Sequence, residues 1–234
     1  MDTDQLAQQL AKLRERVRLG AEKSQREPAE IRVLAVSKTR GADEVRAAAA
    51  LGVRDFGENY LQESLTKIDA LDDLKLCWHF IGPIQSNKTR AIAEHFDWVH
   101  SVDRLKIAQR LSEQRPAHLP DLQLCLQVNI SAQDSKSGVA LCDLSALATA
   151  VAQLPRVQLR GLMAIPAPAD TFARQCEPFA ALRTALAQLQ ANLPELDTLS
   201  MGMSADLEAA IAEGATIVRI GTDIFGPRRT ASNG

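Results

Sequence analysis

Lys38 stands where a lysine can do covalent chemistry. It follows Val33-Leu34-Ala35-Val36-Ser37, a run apolar on both faces, and strand alternation puts it on the side of Leu34 and Val36. A lysine drawn into a dry interior has its pKa lowered toward neutrality, and the uncharged amine adds to aldehydes as a Schiff base. The plainer alternative is a strand-end lysine reaching water. Two later segments offer anion chemistry. Ser200-Met201-Gly202-Met203-Ser204 carries two hydroxyls, with Ser204 where the next helix is expected to begin. Arg219-Ile220-Gly221-Thr222 brings a cation, a glycine over which backbone can approach closely, and a hydroxyl beside amide donors. Taken singly, Ser204 reads equally as a helix cap and Gly221 as a turn; together the two loops read as a phosphate cradle. Neither a P-loop nor a dinucleotide-binding glycine motif occurs, so a nucleoside triphosphate or a dinucleotide is unsupported.

Such groups act together only if the fold converges them. Leu6, Leu10, Leu13 and Val17 recur at helical spacing and predict an amphipathic helix over 3–24. Beyond Pro28, short apolar segments alternate with helical ones. Strands are expected at 31–37, 53–56, 77–81, 98–100, 122–130, 157–163, 198–200 and 216–220. Helices are expected at 42–51, 60–71, 88–95, 104–114, 141–153, 171–193 and 204–212. Doubly apolar strands in strict β–α alternation belong in a parallel sheet covered by helices. Their number and the chain length fit an α/β fold, a single (β/α)8 TIM barrel over about 31–228 with the N-terminal helix (1–26) packed on it. A doubly wound open sheet is the alternative. No linker or repeat divides the chain, so 1–234 reads as one domain.

In a barrel, functional residues sit at the C-terminal strand ends. That rule selects Ser37–Thr39, Gly57–Asn59, Gly82-Pro83 after His79, Asn129, Ser131 and Ser135–Gly138 with Lys136, Met163, Ser200–Ser204 and Arg219–Thr222. A phosphate cradle with an inward lysine serves either a sugar phosphate held as a Schiff base or pyridoxal phosphate. Arg219 bears on the choice: an arginine at a pyridine nitrogen donates a hydrogen bond without protonating the ring, which weakens the cofactor as an electron sink.

Composition removes other classes. The 234 residues carry a formal charge of −2, which gives no electrostatic footprint for nucleic acid or an anionic membrane. Cys77, Cys125, Cys142 and Cys176 show no CxxC spacing, so reduced thiols rather than a metal site are expected. The N-terminus is polar and no apolar run approaches the roughly 20 residues of a membrane span, so a cytoplasmic protein is expected.

The residues also resemble a known family. The segments are Leu34-Ala-Val-Ser-Lys-Thr39, Phe56-Gly-Glu-Asn-Tyr60, Trp78-His-Phe-Ile-Gly82, Gln85-Ser-Asn-Lys88, Ser101-Val-Asp103 and Gln127-Val-Asn129 with Lys136-Ser-Gly138. They continue with Gly161-Leu-Met163, Leu199-Ser-Met-Gly-Met-Ser204, Val218-Arg-Ile-Gly-Thr222 and Ile224-Phe-Gly226. In this order they resemble the pyridoxal phosphate homeostasis proteins of the YggS/PROSC type. The resemblance implies a barrel similar to the N-terminal domain of alanine racemase, holding pyridoxal 5′-phosphate on Lys38 as an aldimine. It implies Ser200, Gly221 and Thr222 as phosphate ligands with Ser204 as an addition, and Arg219 at the ring nitrogen. Asn59 is expected near the cofactor, His79 and Met201 as pocket lining, and Lys136 near the pocket mouth.

A racemase needs an acid and a base on opposite faces of its substrate. Alanine racemases use the aldimine lysine and a tyrosine from a C-terminal domain. Here the motifs run to about 228, no second domain is expected, and the one tyrosine is Tyr60. The expectation is therefore a monomeric carrier or regulator of pyridoxal phosphate, with cofactor-dependent apo-enzymes as its recipients and without robust turnover. The alternative is a weak amino-acid racemase using His79 or Tyr60 as the second acid/base.

Overall fold

Helix α1 (Thr3–Lys23) forms as the spacing requires, with Leu6, Leu10, Leu13 and Val17 all buried. The computed structural model describes residues 2–131 and 137–227, so Lys136 lies outside the described residues. After a short 3₁₀ turn the chain alternates strand and helix: β1 (Arg32–Val36), α2 (Ala42–Ala50), β2 (Asp55–Glu58), α3 (Leu61–Ala70), β3 (Cys77–Phe80), α4 (Thr89–His95), β4 (Trp98–Val102) and α5 (Leu105–Gln114). It continues with β5 (Leu122–Gln127), α6 (Leu141–Ala152), β6 (Val157–Met163), α7 (Phe172–Gln190), β7 (Thr198–Ser200), α8 (Leu207–Ala212), β8 (Ile217–Ile220) and α9 (Thr222–Phe225).

Each strand pairs in parallel with the next, and β8 closes on β1 through the register Arg32↔Ile217 to Ala35↔Ile220. The result is the (β/α)8 TIM barrel, not the open sheet. Alternation along the strands builds two cores. Leu34, Trp98, Cys125, Met163 and Ile217 cluster together as a core of their own, while a larger cluster fills the space between sheet and helices, with α1 packed against α8 and α9.

The expected boundaries fail where a turn has its own hydrogen bonds. β2 starts at Asp55, because the Val53 amide returns to the Ala48 carbonyl and closes the end of α2. Helix α8 starts at Leu207 rather than at Ser204: Asp206 Oδ1 accepts from the Met203 amide at 2.6 Å and closes a separate turn first. Strand β5 ends at Gln127.

Candidate functional site

The C-terminal ends of β1, β2 and β8, with the loops after β6 and β7, enclose a cavity of about 340 Å³, within the range of small-molecule sites. Lys38, half-buried, lies on its wall together with Val36, as alternation requires. The turn carrying Lys38 is fixed from below. Ser37 Oγ donates to Glu58 Oε1 at 2.6 Å, Lys67 Nζ donates to the Ser37 carbonyl at 2.7 Å, and the Thr39 amide donates to Glu63 Oε1 at 2.6 Å. Lys67 also pairs with Glu58 and Glu63 at 2.6 and 2.7 Å. Thr39 is held at φ 64°, a conformation that costs a β-branched residue roughly 1–3 kcal/mol and persists only when neighbours impose it.

The adjoining wall comes from β8 and the loops around it. Gly221 and Thr222 line the cavity, and Thr222 opens α9, where a helix start leaves amide donors without helical partners. Ser204 lines it from the β7–α8 loop, and its Oγ is buried with no hydrogen-bond partner among the described residues. Arg16 of α1 clamps this wall, donating to the Ser204 carbonyl, to Glu208 of α8 and to Asp223 of α9. Gly202 makes the preceding turn at φ 92°, where a Cβ would lie 2.4 Å from the Ala210 Cβ. Asn59 reaches the cavity from the end of β2, and its Oδ1 is likewise buried without a partner among the described residues.

Arg219 lines the cavity from within the barrel. Its Nη1 donates to the Ser200 carbonyl and, at 2.9 Å, to Ser200 Oγ, while Nη2 donates to the Ala164 carbonyl at 2.9 Å. Burial pushes its pKa down to about 10, so it remains cationic at neutral pH. Among the described residues no carboxylate forms an ion pair with it.

Six of the nine expected site residues therefore converge on one cavity: Lys38, Asn59, Ser204, Arg219, Gly221 and Thr222. Three do not reach its wall. Ser200 is fully buried, with its hydroxyl engaged by Arg219 and by His100 at 2.7 Å. His79 is fully buried and bonded to His100 and Asp55 at 2.9 and 3.0 Å. Met201 packs in the hydrophobic core, and Met203 lines the cavity instead. Tyr60 also lies off the wall, 53% exposed before α3. Sequence reasoning missed Arg40, which lines the cavity and is tied by Nη2 to the carbonyls of Gly226 and Pro227. The signal was present, since Arg40 lies two residues beyond Lys38.

The polar groups fit a phosphorylated aldehyde: an amine, a cation without a carboxylate partner among the described residues, a buried hydroxyl that can donate (Ser204) and a buried amide oxygen that can accept (Asn59). Comparisons with known proteins agree. Residues 2–229 match the family model described as alanine racemase, N-terminal domain. A pyridoxal phosphate homeostasis protein of Pseudomonas aeruginosa is 64% identical over 223 residues, covering 95% of this chain and 96% of the relative. The Escherichia coli protein of the same name is 53% identical over 226 residues, covering 95% and 97%. The solved structure of PipY from Synechococcus elongatus with pyridoxal phosphate bound superposes with a TM-score of 0.82 at 42% identity, covering 94% of this chain and 100% of that one. With this fold, this cavity and relatives this similar over nearly their whole length, the chain belongs to the pyridoxal phosphate homeostasis protein family.

Proposed function

We propose that this protein binds pyridoxal 5′-phosphate in the cavity at the C-terminal end of the barrel and serves cellular vitamin B6 homeostasis as a carrier or regulator. The observation that carries this reading is the pair of buried oxygens without partners among the described residues, Ser204 Oγ and Asn59 Oδ1, lining the same cavity as Lys38 and Arg219. When bound, the cofactor supplies an aldehyde for a lysine amine and an electron-withdrawing ring. Lys38 is the amine, oriented by the Ser37–Thr39 turn. Ser204, Gly221 and Thr222 receive the phosphate, Arg219 donates to the ring nitrogen, and Asn59 binds the ring edge. His79, Ser200 and Met201 support this wall from beneath rather than touching the ligand.

Carriage rather than turnover is supported by the two groups considered for a second acid/base. His79 is fully buried, Tyr60 is solvent-exposed, and neither lines the cavity, so neither is placed to serve a substrate carbon there. Pyridoxal phosphate-dependent apo-enzymes are the proposed recipients, served by a monomer in the cytoplasm. Among the described residues no helix is long and apolar enough to cross a membrane.

Protein incubated with pyridoxal phosphate, desalted and reduced with borohydride is expected to carry the ligand on Lys38, with no adduct in Lys38→Ala. An adduct spread over other lysines, or an unlabelled Lys38, would overturn the reading. The phosphate wall has its own prediction. Hydrogen bonds to a charged group contribute about 1.5–3 kcal/mol each, so Ser204→Ala and Thr222→Val should each weaken pyridoxal phosphate binding by roughly 10- to 100-fold in a fluorescence titration. Pyridoxal without its phosphate should show no such loss.

A further inference from the structure

Arg219 is enclosed inside the barrel, yet no carboxylate touches it among the described residues. Its hydrogen bonds lead to one at the far side of the barrel. Arg219 Nη1 donates to Ser200 Oγ at 2.9 Å; Ser200 Oγ lies 2.7 Å from His100 Nδ1; His100 Nε2 lies 2.9 Å from His79 Nδ1; and His79 Nε2 lies 3.0 Å from Asp55 Oδ1. Four contacts of ordinary hydrogen-bond length thus join β8, β7, β4, β3 and β2 in one line.

The two ends decide where every proton sits. A guanidinium only donates and a carboxylate only accepts. Since Ser200 Oγ accepts from Arg219, its own proton goes to His100 Nδ1. The proton of His100 is then on Nε2, directed at His79 Nδ1, and that of His79 is on Nε2, directed at Asp55. With both rings neutral, as burial favours, no other arrangement gives each of the four contacts one proton. Asp55 Oδ1 also lies 3.5 Å from Arg32 Nη1, and Cys77 Sγ lies 3.3 Å from His79 Nε2.

We propose that Asp55, His79, His100 and Ser200 form one directional hydrogen-bond relay that presents the charge of a carboxylate at the N-terminal mouth of the barrel to Arg219 on the cavity floor. Asp55 and both histidines are then positioning residues for Arg219. In a low-dielectric interior such chains polarise one another and strengthen, so the relay holds the guanidinium in one orientation without a carboxylate in the cavity. The charged groups acting on the two rings are Asp55, Asp97, Arg32 and Arg219. Burial keeps both histidines below their usual pKa, His100 well below. A second proton on His79 would sit on Nδ1 against the His100 Nε2 proton, and one on His100 would sit on Nδ1 against the Ser200 hydroxyl proton, so either breaks the line in this direction.

The test reads ligand-free protein and so stands apart from the cofactor reading. The chain has four histidines, and His95 and His118 are exposed, so imidazole ¹⁵N spectra are assignable with His95→Gln and His118→Gln. At neutral pH His79 and His100 are expected to be neutral and protonated at Nε2. Asp55→Asn, which keeps the shape, is expected to shift the His100 resonances although Asp55 does not touch that ring. Ser200→Ala is expected to shift those of His79 from the other end. An Nδ1–H tautomer at either ring, or changes confined in both variants to the directly bonded ring, would overturn the relay. Should Asp55→Asn fail to fold, the wild-type tautomers and Ser200→Ala still decide it.

Discussion

Lys67→Met is expected to lower the unfolding free energy by about 3–5 kcal/mol, the usual cost of removing one partner from a buried ion pair. Its partner Glu58 is fully buried, and Glu58 Oε2 has no hydrogen-bond partner among the described residues. Burial raises the Glu58 carboxyl above its ordinary 4.5 even with Lys67 beside it. Without Lys67 the folded-state pKa rises further, while the unfolded value does not change. A group raised in the folded state contributes stability below its unfolded pKa and loses it as pH rises through the folded one. The gap between wild type and variant should therefore be small below about pH 4.5 and widen toward neutrality. Urea unfolding across that range measures it, and Glu58→Gln in the same chain should recover much of the loss. A gap independent of pH would mean that lost packing, not the stranded carboxylate, is responsible. The variant should also release pyridoxal phosphate faster, because Lys67 anchors the carbonyl of Ser37, one residue before the proposed amine.

This ion-pair cluster marks the limit of what the sequence alone reveals. Barrel topology was readable because each strand is apolar on two faces and each helix follows at regular spacing, signals carried by many residues at once. Lys38, Asn59 and Arg219 followed from strand ends and alternation. The failures lie where a single side chain decides. Nothing near Ser204 announces that Asp206 will bond the Met203 amide and delay α8. Nothing local to His79 shows that β4 and β7 bring His100 and Ser200 to it, since those residues are 21 and 121 positions away along the chain. Motif likeness put Ser200 and His79 in contact with ligand; in the structure Ser200 Oγ bonds Arg219 and His100, and His79 bonds His100 and Asp55. Glu63 and Lys67 are an ordinary four-residue helical pair in sequence, and only the fold turns them inward on Glu58.

Gly82→Ala should damage the site as well as the fold. A Cβ at this position would lie 2.1 Å from the Asn59 carbonyl oxygen and 2.8 Å from the Asn59 Cα. These are backbone atoms, so no rotamer change relieves the contact and the end of β2 must move. The Gly82 carbonyl is itself held by Ser101 Oγ at 2.5 Å, which leaves Asn59 as the part that gives way. The stability cost is expected at or above the roughly 1–3 kcal/mol of ordinary overpacking. Displacing Asn59 by about an ångström should also weaken pyridoxal phosphate binding tenfold or more, since such contacts tolerate misplacements of only about 0.5 Å. Gly161→Ala separates the two effects. Its Cβ would meet the Thr198 carbonyl oxygen at 1.9 Å, between β6 and β7 and away from the cavity wall. That variant should lose comparable stability while its folded fraction keeps wild-type affinity. Equal affinity loss in the two variants would show that global strain, not the placement of Asn59, governs binding. Loss confined to Gly82→Ala would tie retention of the ligand to the β2–β3 contact that seats Asn59.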